Sequence, residues 1–143
     1  MAKSCTPPFL FKIYMESFVN NIVMEGVIVD APYEYMTTRR GVSYGVICYH
    51  KQNGIEMIFK VTAGSNNIIK GQIKKMEKGQ IITFYGTVLF FKKTKGLAHQ
   101  FIIVSPDRMR ILDVDVDYGK GLLEEADLSE VEALKGVTLP WER

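Results

Sequence analysis

No apolar run in this chain approaches the length that would cross a bilayer as a helix. Lys12 and Glu16 interrupt the apolar stretch that follows Lys3, so the N-terminus does not read as a secretory signal. Cysteine is scarce: Cys5 and Cys48 are too few for a disulfide framework and lack metal-ligand spacing. A reduced, cytoplasmic protein is the default for such a chain. Histidine is equally sparse. His50 and His99 fall on separate predicted strands, and neither sits in a Cys, His or carboxylate cluster. Cys48 alternates with core positions and reads as a small buried hydrophobe rather than a nucleophile. Asp113, Asp115 and Asp117 lack the Gly and Glu that an EF-hand loop requires, so a solvated acidic run is expected there; a weaker reading has it competing with an anionic ligand for the basic surface. These absences leave no catalytic residues, no metal, no cofactor and no small-molecule substrate to expect. They point away from an enzyme and from a membrane protein.

What is present begins with 143 residues, 47% of them hydrophobic, enough for one domain with a real core. The net charge of +2 hides an asymmetry. Residues 1–111 carry 15 Lys/Arg against 7 Asp/Glu, and residues 112–143 carry 3 against 9. A basic body followed by an acidic segment suggests an anionic partner for the body. The plainer alternative is that the tail offsets the body for solubility.

Residues 1–19 form an arm in which Pro7 and Pro8 disfavour helix and central strand. Phe9, Leu10, Phe11, Ile13 and Tyr14 are too apolar to remain free. The arm packs on its own domain by default. Docking on a second copy is the sharper alternative, because terminal arms exchange between protomers at low cost. Residues 20–31 read as a strand with a bend at Gly26, ended by Pro32; residues 33–41 read as a loop holding Arg39 and Arg40. Residues 42–51 and 55–62 are strands joined at Asn53-Gly54, a strong hairpin signal. On the latter strand Ile55, Met57, Phe59 and Val61 are expected inside, with Glu56, Ile58, Lys60 and Thr62 outside.

Ser65 or Asn66 can cap a helix over 66–78, with Ile69, Ile73 and Met76 as its apolar stripe and Lys70, Lys74 and Lys75 in water. Gly79 ends it. The next strand bends at Gly86. It directs Ile82, Phe84 and Val88 one way and Thr83, Tyr85, Thr87, Leu89, Phe91 and Lys93 the other. Lys92 to Gly96 is a basic hairpin tip and 97–104 a fifth strand; Ser105-Pro106-Asp107 is expected to turn the chain before a last extended piece, Met109 to Leu112. A short helix reaches Lys135, with Gly136 after it. The reading divides the chain into an arm (1–19), a barrel domain (20–112) and an acidic C-terminal segment with a short helix (113–143). Five strands with one helix between the third and fourth is the order of the OB-fold, an all-β Greek-key barrel.

Several stretches resemble the bacterial single-stranded DNA-binding proteins. Asn20 to Pro32, NNIVMEGVIVDAP, resembles that family's first strand. Glu34-Tyr35-Met36 resembles its cation-Tyr-Met, with an acid replacing the cation. Lys78-Gly79 followed by Gly86 resembles its strand-four signature, and 101–112 its closing strand. The match covers residues 20–112. The resemblance implies an OB-fold that holds single-stranded DNA with little sequence preference, on the outer faces of strands two to four. Matching positions are Ile58, Lys60, Leu89, Phe91 and Lys93, with Tyr49 and Lys51 near a stacking Trp of the family that this chain lacks. The chain also departs from the family in its 19 leading residues, in its short turn between strands two and three, and in a C-terminus ending Leu139-Pro140-Trp141-Glu142-Arg143. The departures count against the family's tetramer and its partner-recruiting tip, and suit a divergent member carried by a plasmid or phage.

Single strands are held by cations on phosphates and aromatic faces on bases. The candidate DNA-binding residues are therefore Arg39, Arg40, Tyr49, Lys51, Lys60, Tyr85, Phe91, Lys92, Lys93 and Lys95, with Phe9, Leu10, Phe11, Ile13 and Tyr14 as an oligomerisation arm. The competing reading packs Tyr85 and Phe91 under the arm or at a subunit interface. Single-stranded DNA as partner and a homo-oligomer are the expectations; a protein-interaction adaptor or an RNA-binding domain is the alternative.

Overall fold

The computed structural model describes residues 20–38, 41–64, 66–90 and 102–137. Six strands make one sheet in the order β1-β5-β6-β4-β3-β2, and β1 also pairs with β3. The second pairing closes β1, β3, β4, β5 and β6 into a barrel, leaving β2 as an extra edge strand. The barrel is the OB-fold that the element order predicts. Its strands are β1 (Ile22–Ile28), β2 (Tyr33–Thr38), β3 (Gly41–Gln52), β4 (Ile55–Thr62), β5 (Ile81–Phe90) and β6 (Ile102–Ile111). Its helices are α1 (Asn67–Ile73), α2 (Val116–Leu123) and α3 (Val131–Lys135).

Closure depends on β1 serving two neighbours. Ile22 to Val27 pair with β5, and Val27 and Ile28 pair with β3. The strand changes partners at Val27, next to Gly26, where a Cβ would stand 3.0 Å from Cys48 and from the Phe59 ring. β4 and β6 pair in parallel at Lys60–Ile103 and Val61–Val104. The β3–β4 turn follows its sequence: Asn53 (φ 53°) and Gly54 (φ 78°) both take the left-handed conformation that a tight primed turn needs. α1 starts at Asn66, whose Oδ1 accepts from the amides of Ile68 (3.0 Å) and Ile69 (3.1 Å).

The barrel interior holds Ile28, Val46, Cys48, Phe59, Val61, Ile82, Phe84 and Val104, with Ile69, Ile73 and Met76 closing the α1 end. Phe59 and Phe84 meet edge to face at 6.0 Å. Burial pushes the Cys48 thiol well above its ordinary pKa, as suits a packing residue.

Four expectations change. Residues 33–38 are a strand on β3 rather than loop, with a register shift between Glu34 and Met36. Ser105-Pro106-Asp107 does not turn the chain: β6 runs through it, and Gly86 faces Pro106 at the irregularity where the ladder shifts. Asp107 is the residue left without a partner at the shift, and a bulge is one of the few places inside a sheet that tolerates a proline. Ile55, expected inside, is 73% exposed at the hairpin end. The fourth change is the largest. The outer side of β3 and β4 faces a second hydrophobic core rather than solvent: Val27, Val29, Ile47, Tyr49, Ile58 and Ile103 pack against Leu123, Val131, Leu134 and Val137 of the C-terminal segment.

The C-terminal segment is fitted to the barrel. Asp115 caps α2, accepting from the Asp117 amide at 2.9 Å. Gly119 of α2 lies against Gly79, with a Cβ at either position colliding with the other segment's backbone. α3 is tied down by Lys135, which pairs with Asp30 at 3.0 Å and Glu132 at 3.1 Å.

Candidate nucleic-acid interface

The alternation of β3 puts Tyr49 outward, and β4 puts Lys60 outward beside it. Neither meets solvent. Tyr49 is 5% exposed, and its hydroxyl donates to Glu56 Oε2 at 2.7 Å. Burial first, then this hydrogen bond, pushes its pKa up to about 12. The Glu56 carboxyl is held below its ordinary range by the Tyr49 hydroxyl and by the Asp127 amide at 3.2 Å. Lys60 is 1% exposed. Its ammonium donates to the Val137 carbonyl at 2.6 Å and lies 5.8 Å from the centre of the Tyr33 ring. Lys135 reaches the same ring at 5.6 Å. The expectation that Tyr49 and Lys60 face DNA is therefore corrected for the folded chain: α2, α3 and the residues around them cover both. A lysine can be buried here because a carbonyl and an aromatic face replace part of its hydration.

Lys51 is exposed, on the rim of an open cleft of about 550 Å³ between β1, β3 and α2. Glu25, Glu124 and Glu125 share that rim, and Val27, Tyr49, Ile81, Tyr118 and Leu122 line it. His50 closes one side, its Nδ1–H donating to the Glu25 carbonyl at 2.7 Å. Three carboxylates make this cleft a poor seat for phosphate.

Tyr85 stands elsewhere, on the outer face of β1, β5 and β6. The register places Val23, Tyr85 and Arg108 in one row and Glu25, Thr83 and Arg110 in the next. The Arg108 guanidinium lies 4.1 Å from the Tyr85 ring centre, an aromatic–cation stack on an open face. Thr83 donates to Glu25 Oε2 at 2.8 Å, so Glu25 is engaged within the second row. Arg108 and Arg110 are both exposed. Of the remaining candidates, Arg39, Arg40, Phe91, Lys92, Lys93 and Lys95 lie outside the described residues, as do Phe9, Leu10, Phe11, Ile13 and Tyr14.

Sequence reasoning missed Arg108 and Arg110. The signal was present: they are two apart in an extended piece and so share a face. Reading a turn at Pro106 severed that piece from the strand that sets it beside Tyr85. Sequence reasoning gave Tyr44 no role and left Lys70 and Lys74 in water. The structure brings them together, with the Lys74 ammonium 5.1 Å from the Tyr44 ring centre. Among the described residues no cluster of His, Cys, Asp and Glu could hold a metal ion, and no helix is long and apolar enough to cross a membrane.

A scan of protein-family models and a search of curated proteins each returned no match. Solved structures do match. A small single-stranded DNA-binding protein from Streptomyces coelicolor aligns at a TM-score of 0.52 and 14% identity, over 65% of this chain and 92% of that one. A deletion variant of the single-stranded DNA binding protein from Thermus aquaticus aligns at 0.51 and 14%, over 68% of this chain but only 42% of that one. The wild-type Thermus aquaticus protein aligns at 0.50 with the same identity and coverage. At this identity the likeness speaks for architecture alone: the chain shares the OB-fold of these structures.

Proposed function

We propose that this chain is a binding protein for single-stranded DNA, largely indifferent to sequence, and not an enzyme. The observation that carries the proposal is the open face of β1, β5 and β6, where Arg108 stacks on Tyr85 and Arg110 stands in the neighbouring row. A planar guanidinium on a ring offers a phosphate partner and a stacking surface at one point. Every base has a π-face, so such a site tolerates any sequence. The cations outside the described residues (Arg39, Arg40, Lys92, Lys93 and Lys95, with Phe91) extend the basic character of the body. The apolar arm, Phe9 to Tyr14, is proposed to join copies of the chain along the strand. A cytoplasmic location fits this activity.

The test is fluorescence anisotropy of labelled oligo-dT titrated with the protein at low and moderate salt, with a duplex control. Salt-sensitive binding that favours the single strand is expected. Absence of binding at low salt refutes the proposal. It would turn attention to a second reading, a protein-interaction adaptor, which one observation favours: the outer face of β3 and β4, where OB-folds commonly take oligonucleotides, is already covered.

A further inference from the structure

The covered face decides where a strand can run. Four features build the cover into the fold: the Gly79–Gly119 backbone contact, the shared apolar core, the Lys60 hydrogen bond to Val137 and the Lys135–Asp30 pair. Its outer surface carries Asp117, Glu124, Glu125, Asp127 and Glu132, all exposed. A polyanion approaching β3 and β4 meets carboxylates before it meets the barrel.

The end of the barrel closed by α1 has the opposite character. α1 turns Ile69 and Ile73 into the core, which leaves Lys70 and Lys74, four residues apart, on one outward side facing the first half of β3. Lys74 lies over Tyr44 at 5.1 Å. Lys70 reaches toward Gly41, where a Cβ would stand 3.8 Å from its ammonium. Neither lysine is paired with a carboxylate among the described residues. The Tyr44 hydroxyl donates to Glu34 Oε1 at 3.0 Å, which fixes the ring. Glu34 repels phosphate from its own side of the ring, so a strand's backbone belongs on the α1 side.

We infer that the single strand bypasses the β3–β4 face and is held in the groove between α1 and the first half of β3, with Lys70 and Lys74 on successive phosphates and Tyr44 beneath a base. This rests on the single-strand binding proposed above. On binding, Lys74 moves from the ring to a phosphate, and the ring face it leaves takes the base. Ammonium and ring exchange a mutual contact for two charge and stacking contacts with the ligand.

The test uses the full chain and labelled oligo-dT. Each phosphate contact on a single strand contributes roughly 0.7 to the slope of log affinity against log salt. Lys70→Ala with Lys74→Ala should therefore lower the slope by about 1.4 and the affinity at 0.1 M salt by roughly 10- to 30-fold. Lys120→Ala removes a cation from the acidic cover and should leave affinity within about twofold. Circular dichroism confirms folding; Lys74 is exposed and Lys70 half-buried, and neither is paired with a carboxylate among the described residues, so the double variant is expected to fold. An unchanged slope in the folded double variant overturns the inference while leaving single-strand binding intact. A Lys120→Ala loss of log affinity half as large as that of the double variant also overturns it, because net charge alone would then explain the effect. If the unaltered protein binds no oligo-dT, the functional proposal and this inference fall together.

Discussion

Gly119→Ala and Gly121→Ala are the same change on the same eight-residue helix, and the structure gives them opposite signs. Gly to Ala inside a helix ordinarily stabilises by about 0.5–1 kcal/mol, because the unfolded chain loses freedom that the helix never had. At Gly121 a Cβ meets nothing within 4 Å, so that gain is expected in full. At Gly119 a Cβ would collide with the Gly79 carbonyl oxygen and lie 2.7 Å from its carbon. The obstacle is backbone in a tight turn, and Gly79 itself sits at φ 95° with its own side blocked by the Val116 carbonyl at 2.5 Å. Only a shift of α2 off the barrel can relieve the collision, and overpacking of this kind costs about 1–3 kcal/mol. A shift also loosens Leu123, a buried member of the second core. The expected gap between the two variants is about 1.5–4 kcal/mol, with Gly119→Ala the less stable. At about 2–4 °C per kcal/mol for a chain near this size, Tm values should separate by roughly 3–16 °C. Urea and thermal unfolding read the gap directly. If Gly119→Ala is as stable as Gly121→Ala, α2 is not seated on the barrel, and every conclusion drawn from the covered face goes with it.

Three further outcomes follow from particular contacts. Tyr49 has its pKa pushed up to about 12 in the folded chain, so its contribution is complete below the ordinary phenol value of 10 and drains away as pH rises from 10 towards 12; Tyr49→Phe should flatten stability against pH in that window, and an unchanged slope would show that the phenol is not buried against Glu56. Tyr85→Ala with Arg108→Ala should weaken oligo-dT binding at all sequences alike, by about 1–3 kcal/mol for one lost stacking platform, and equal affinity in the folded variant would remove the β1–β5–β6 face from the interface. Phe9→Ser with Phe11→Ser should lower the molar mass seen by light scattering while sparing contact with a short oligonucleotide; an unchanged mass would exclude the arm from self-association.

The features legible in the sequence were those with local causes. Asn53-Gly54 writes its own turn, Asn66 its own cap, and the alternation around Phe59 and Phe84 its own barrel interior. What escaped was non-local. β2 is short, YEYMTT, lacks a clean apolar alternation, and pairs with β3. α2 contains Gly119 and Gly121, poor helix formers, and is helical because a glycine-thin surface lets it sit against Gly79. The cover nonetheless left a trace. Ile47 and Tyr49 on β3, and Ile58 on β4, are apolar residues on the side assigned to solvent, alternating with Val46, Cys48 and Phe59 on the side assigned to core. A strand apolar on both faces is covered on both faces.

Lys60 shows why a likeness in fold does not carry a binding site across residue by residue. On an uncovered barrel its outward position on β4 would suit a phosphate contact. Here the chain's own C-terminal segment supplies the acceptor, the Val137 carbonyl at 2.6 Å, and the aromatic neighbour, Tyr33, is shared with Lys135. A strand that displaced the cover would have to release these contacts and expose Leu123, Val131, Leu134 and Val137, each worth roughly 1.5–3 kcal/mol in burial. One base stacked and one phosphate neutralised at Tyr49 and Lys60 recover only a few kcal/mol of that sum. The balance favours a strand that leaves the cover in place and uses cations outside it, such as Arg108, Arg110, Lys70 and Lys74.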